Sequence, residues 1–235
     1  VQRQLASIQV HNSKQITGNV VIVMDTTYFG RVFGVMVWRC PHRKQNLFWK
    51  FLKQENIDEY IQGVEELQRQ QWNIKAIVCD GKRGLFKAFD CPVQMCQFHQ
   101  AAIITRYVTR KPKLQAGIEL QQLMRMLPKT DEASFTYWLN NWHNQWKDFL
   151  DERTTNPFDG RAYFTHSRLR SAYRSLQTNL PYLFTFEKYP ELKIPNTTNS
   201  LEGIFAHLKD KTRLHRGLKI ERKQRLIEQL LKGEN

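Results

Sequence analysis

Asp25 and Asp80 each close a run of apolar, largely β-branched residues: VVIVMDTTYFG covers Val20 to Gly30 and IKAIVCDGKRG covers Ile74 to Gly84. A third carboxylate, Glu202, lies far downstream in TTNSLEGIFAHLKDKTR, a stretch that reads as a helix. Carboxylates gathered in one buried place repel one another unless a cation neutralises them. A small set of hard oxygen ligands suits Mg²⁺, with Mn²⁺ expected to substitute, and leaves positions open for water and phosphate. Two such ions held close together activate an attacking oxygen and stabilise a leaving one. The three acids therefore point to phosphodiester chemistry. An Asp that ends an apolar run is also a common turn residue, so the conjunction carries the reading, not either Asp alone.

The elements that must position these acids are legible around them. Val20–Tyr28, Phe33–Arg39 and Leu47–Leu52 read as three strands in a meander, punctuated by Gly30, Gly34 and Cys40-Pro41-His42. Asn56–Gln71 reads as an amphipathic helix, because Ile57, Ile61, Val64 and Leu67 recur at helical spacing. Ile74–Cys79 is a short apolar run of buried-strand type. A helical segment around Leu85–Phe89 and a strand at Val93–Phe98 follow. That order predicts an α/β fold, a mixed sheet flanked by helices.

From about Ala101 to Tyr189 strand signals fade. Glu119–Met126, Ser134–Leu150 and Ser167–Asn179 carry helical patterns, the last expected to stop at Pro181, with a loop from Thr154 to Gly160. Trp138, Trp142 and Trp146 fall at i, i+4 and i+8 on one helix face. A core stripe is the expected role of such a row; stacking on unpaired bases is the other. Asn199–Gly217 reads as one helix capped by Asn199 or Ser200, and Ile220–Leu231 as an amphipathic tail. The domain division expected is 1–105 for the first part of the core, 106–190 for the helical insertion and 191–235 for the return to the core.

Composition bounds the partner. The chain has 235 residues, 41% hydrophobic and 12% aromatic, which is a globular balance. No apolar run approaches the roughly 20 residues that cross a bilayer, so no membrane partner is expected. Net charge is +14, from 36 Lys and Arg against 22 Asp and Glu. A polyanion is the simplest partner for such a field. Cys40, Cys79, Cys91 and Cys96 fit free thiols in a reducing compartment. Neither a Walker loop, a Gly-x-Ser-x-Gly elbow nor a His-Glu-x-x-His pair is present. Cys91, Cys96, His99 and His42 lack the paired spacing of a zinc site.

Three motifs in this order resemble the catalytic domain of Mutator-like transposases, including bacterial insertion-sequence members. They are the Asp25 and Asp80 pair, Cys96-Gln97-Phe98-His99 as a C-x-x-H signature, and Thr198-Asn199-Ser200-Leu201-Glu202 as a T-N-x-x-E segment. The resemblance runs from about residue 18 to 217. It implies a ribonuclease-H-like fold interrupted by an all-α insertion, with Asp25, Asp80 and Glu202 as the DDE ligands of two Mg²⁺ ions. It further implies hydrolysis at transposon ends to free a 3′-OH, which attacks target DNA. Cys96 and His99 would order a strand-to-helix connection or touch the DNA flank. Lys209, seven residues beyond Glu202 and two helical turns on, would touch DNA near the scissile phosphate. A homodimer or larger synaptic assembly on double-stranded DNA is expected, acting in the cytoplasm on a bacterial nucleoid or in a nucleus. Full transposases carry an end-recognition region upstream of the first strand, so this sequence is expected to be a catalytic fragment or a truncated element.

From Gly203 to the end there are nine Lys or Arg against four Asp or Glu, including Lys209 and Arg213. Arg106, Arg110, Lys111 and Lys113 form a second cluster. Contacts of this kind position DNA without reading its sequence. Six phosphate contacts would give a log–log salt slope of about −5. A domesticated, non-catalytic DNA-binding module and a ribonuclease-H-like nuclease or resolvase are the rival readings.

Overall fold

The computed structural model describes residues 17–233. They form two compact units: residues up to Val93 together with those from Thr198 onward, and Gln94 to Thr197 between them.

In the first unit, β1 (Asn19–Phe29), β2 (Phe33–Cys40) and β3 (Gln45–Leu52) form an antiparallel meander. The next strand, β4 (Asn73–Cys79), pairs parallel to β1 on its other side. With β5 (Val93–Met95) at the far edge, the sheet order is β3-β2-β1-β4-β5. The expected α/β class holds: this is a mixed five-stranded sheet flanked by helices, of ribonuclease-H-like kind.

A parallel β1–β4 pair needs a crossover, and α1 (Ile57–Arg69) lies on that return path. Asn56 caps α1, its Oδ1 accepting from the Glu59 N–H at 2.8 Å. Strand alternation sends Val20, Ile22 and Met24 of β1, Met36 and Trp38 of β2 and Ile77 and Cys79 of β4 to one face. There they pack with Tyr60, Val64 and Leu67 of α1 as a dry core. Gly63 is required at this contact, because a Cβ there would sit 2.0 Å from the Trp38 ring.

The residues between them on each strand face the other way. That face is covered by α7 (Asn199–Leu214), which packs on β1, and by α8 (Ile220–Gly233), which packs on α7 and β3. Leu201, Ile204, Phe205 and Leu208 supply the buried stripe of α7. Asn46 ties α8 down, its amide donating to the Leu231 carbonyl at 2.9 Å.

The second unit is helical apart from one hairpin. It holds α2 (Gln97–Val108), α3 (Gln115–Met126), α4 (Glu132–Asp151), α5 (Ser167–Leu183) and the short α6 (Thr185–Lys188). The expected loop between α4 and α5 is organised as a hairpin, β6 (Arg153–Thr155) with β7 (Ala162–Phe164). Trp142 is buried and donates to the Ala116 carbonyl at 3.0 Å, while Trp146 donates to Glu119 at 2.7 Å. Of the tryptophan row, Trp142 is thus core of α4 against α3, while Trp138 and Trp146 are half-buried.

Two expected boundaries shift. The strand expected over Val93–Phe98 ends at Met95, and α2 starts at Gln97. The apolar-polar alternation of VQMCQF is really a row of buried amides. Gln94 and Gln97 both donate to the Leu183 carbonyl, at 2.9 and 3.0 Å, and Gln100 accepts from Asn179 at 2.7 Å. Those bonds also explain why α5 runs through Pro181 to Leu183. Proline removes one intrahelical donor only two residues from the end, and the glutamines satisfy the terminal carbonyl at Leu183.

Candidate active site

Each candidate acid is set by the element beneath it. The parallel register aligns Val23 with Val78. Two residues further along, the same register sets Asp25, inside β1, level with Asp80, the first residue past β4; neighbouring strands lie about 4.8 Å apart. The side-chain alternation that buries Met24 on the α1 face directs Asp25 to the α7 face. Asp25 is only 9% exposed, and its Oδ1 accepts from the Thr26 N–H at 2.7 Å. Asp80 leads the turn after β4, with Oδ1 accepting from the Lys82 N–H at 3.1 Å.

Glu202 arrives on the first turn of α7, the helix packed on β1. The positive end of the helix dipole favours an anion there. Thr198, not Asn199 or Ser200, stands at the cap position, and its carbonyl accepts from the Leu201 and Glu202 N–H groups at 2.8 and 3.3 Å. Glu202 is half-buried, and its buried Oε1 accepts no hydrogen bond from the described residues.

All three acids therefore belong to the first unit. The parallel register sets Asp25 level with the turn that Asp80 leads, and Glu202 lies on the helix packed on β1. Among the described residues, no group of three or more His, Cys, Asp or Glu side chains is drawn together tightly enough to hold a metal ion. Carboxylate oxygens are the donor type that a hard divalent ion takes, and here they stand on β1, in the turn after β4 and on α7.

Beside the acid pair lies a polar network that sequence spacing did not announce. The Tyr60 ring is fully buried, and its hydroxyl donates to Glu55 Oε1 at 2.8 Å and lies 3.2 Å from Thr26 Oγ1. Lys82 Nζ pairs with Glu55 Oε1 at 3.1 Å and donates to the Glu55 carbonyl at the same distance. Burial, with the nearby negative charges of Asp80, Glu55 and Asp25, pushes the Tyr60 hydroxyl far above the ordinary tyrosine range. The network couples the residue after Asp25 to the residue that holds Asp80. Its members come from β1, the approach to α1, α1 itself and the turn after β4, so no local pattern links them.

The remaining candidates fall elsewhere. Lys209 and Arg213 lie exposed further along α7, and Arg213 pairs with Asp210 at 3.3 Å. Cys96 and His99 belong to the second unit, Cys96 buried at the start of α2 and His99 half-buried in its first turn.

No family model matches this chain, and no curated protein does. Among solved structures, it is similar to a chain in the cryoEM structure of a simian T-cell lymphotropic virus intasome in complex with the PP2A regulatory subunit B56 gamma. The identity is 11% and the TM-score 0.27, over 71% of this chain and 51% of that one. This chain thus spans about half the length of the chain it matches.

Proposed function

We propose that this chain carries the catalytic core of a DDE transposase of Mutator-like kind, cutting transposon-end phosphodiester bonds and joining the freed 3′-OH to target DNA. One observation carries the reading: Asp25 inside β1 and Asp80 just past the parallel strand β4 fall at the same level of the sheet, with the buried Oε1 of Glu202 on the helix packed against β1. Asp25, Asp80 and Glu202 would hold two Mg²⁺ ions, or Mn²⁺ in their place. When bound, such ions activate the attacking oxygen and stabilise the leaving one.

The protein's own groups do the positioning. Backbone N–H donors at Thr26 and Lys82 fix one oxygen of each Asp. The Tyr60–Glu55–Lys82 network ties β1 at Thr26 to the turn after β4 from the α1 side. Lys209 and Arg213, exposed on α7, are suited to phosphate contacts beside the cut. Cys96 and His99 order the entry into α2 or touch the DNA flank. A net charge of +14 suits double-stranded DNA, and a dimeric or larger synaptic complex would bring two ends together.

The test is incubation with Mg²⁺ or Mn²⁺ and DNA bearing terminal inverted repeats, scoring cleavage and strand joining. Joining is the expected result, lost in Asp25→Ala, Asp80→Ala and Glu202→Ala while DNA binding persists. Binding without cleavage would select a non-catalytic DNA-binding module instead. Cleavage without joining would select a nuclease.

A further inference from the structure

Within the second unit, α4 and α5 enclose a cleft of about 330 Å³ that plays no part in the acid site. Two helical stripes line it. From α4 come His143, Lys147 and Asp151, at i, i+4 and i+8; from α5 come Arg170, Tyr173 and Arg174, at i, i+3 and i+4. Three cations thus face one carboxylate across a small space.

That carboxylate is already committed. Arg170 pairs with Asp151 and also donates to the Leu150 carbonyl at 3.1 Å. Its guanidinium further rests 3.6 Å over the Phe164 ring, so it is held in place from three sides. Lys147 and Arg174 are both exposed and form no ion pair or hydrogen bond among the described residues. The wall between them is rigid: the His143 ring stacks on Tyr173 at 4.2 Å with an interplanar angle of 6°, and the Tyr173 hydroxyl accepts from Gln177 at 2.9 Å.

Like charges converging on one cleft repel, and the arrangement is relieved by an anion with several acceptor oxygens. We propose that this cleft is a phosphate-binding site, taking a phosphodiester of a nucleic-acid backbone or a free phosphate, with Lys147 and Arg174 as its variable contacts and Arg170 as its fixed one. A carboxylate ligand offers two oxygens in one plane and would not reach Lys147, Arg174 and Arg170 together. A phosphate presents oxygens in three dimensions. The inference does not depend on the acids of the first unit being catalytic.

Because Lys147 and Arg174 are exposed, neutralising them leaves the fold intact. The experiment compares the full chain with a Lys147→Gln/Arg174→Gln variant and with a control variant, Lys53→Gln/Lys129→Gln, which loses the same charge away from the cleft. Two probes are used, a plain duplex DNA followed by fluorescence anisotropy across a salt series, and inorganic phosphate followed by tryptophan fluorescence from Trp142 and Trp146. If the occupant is a nucleic-acid backbone, the cleft variant flattens the log–log salt slope by about 1.8 relative to wild type, with a several-fold weaker affinity, and the control changes less. If it is a free phosphate, wild type and control show a saturable response to inorganic phosphate that the cleft variant lacks. Either result supports the site. Equal behaviour of the cleft and control variants with both probes would overturn it. An Asp25→Ala variant run alongside separates the two readings, since it loses cleavage without changing either binding readout.

Discussion

The two units place their buried polar groups differently. In the second unit Gln94, Gln97, Gln100 and Asn179 are buried, yet each is hydrogen-bonded, largely to one helix end and to one another. In the first unit the core under α1 is apolar, and the buried Arg39 and Asn46 pair with each other at 2.7 Å. On α7, however, the buried Oε1 of Glu202 accepts nothing from the described residues. Among the described residues the indole N–H groups of Trp38 and Trp72 also lack acceptors, but they are donors on a large apolar ring. Satisfied polar groups hold a fold together, whereas a buried carboxylate oxygen without a partner among the described residues marks a candidate site.

Substitutions at the two kinds of site should therefore diverge. The largest effect is expected for Glu202→Gln. Metal-dependent cleavage should fall by on the order of 10³-fold, while thermal denaturation shows stability unchanged or slightly higher, because an unmet charge has been removed. A stability loss with full activity would reverse the contrast. Next comes Gly63→Ala, whose new methyl meets the Trp38 ring. It should destabilise the first unit by about 1–3 kcal/mol in urea unfolding.

Gln94→Ala is expected to cost about 1–3 kcal/mol in the second unit. It orphans the Phe186 N–H, which now donates to Gln94 Oε1 at 3.0 Å. Local hydrogen exchange at Phe186 would register the loss, and no change there would undo the idea that these amides are structural.

The smallest effect concerns pH. Tyr60 keeps its proton in the folded state well above the ordinary tyrosine range, whereas the unfolded chain releases it near pH 10. The unfolded state then binds fewer protons, so stability falls as pH rises past that point. Tyr60→Phe should reduce the fall by up to about 1.4 kcal/mol per pH unit. Identical slopes in the two proteins, measured between pH 10 and the onset of general alkaline unfolding, would remove Tyr60 from the network.

Much of the first unit is written locally. Alternation and β-branching mark β1, β2 and β4, and Asn56 with its apolar spacing marks α1, because each signal lies within a few residues of its cause. The acids are legible for the same reason: Asp25 and Asp80 end those runs, and Glu202 sits in a helix-like stretch. The level at which Asp25 and Asp80 meet is not, since it depends on a parallel register with an irregularity between Val20 and Val21. Nor is the link from Tyr60 to Glu55, Thr26 and Lys82, which joins residues brought together only by the crossover. In the second unit VQMCQF misleads because glutamines that bond to a distant helix end look, in one dimension, like the exposed side of a strand. Pro181 misleads because the same glutamines, far away in sequence, complete the helix it would otherwise stop.

The central claim is that Asp25, Asp80 and Glu202 serve one metal centre. Fe²⁺ in place of Mg²⁺, with ascorbate and peroxide, generates hydroxyl radicals that cut the backbone beside the bound ion, and the fragments can be mapped by mass spectrometry. Cuts clustered near residues 25, 80 and 202, suppressed by excess Mg²⁺ and diminished in Glu202→Gln, are the expected result. Cuts near 25 and 80 with none near 202 would contradict the account.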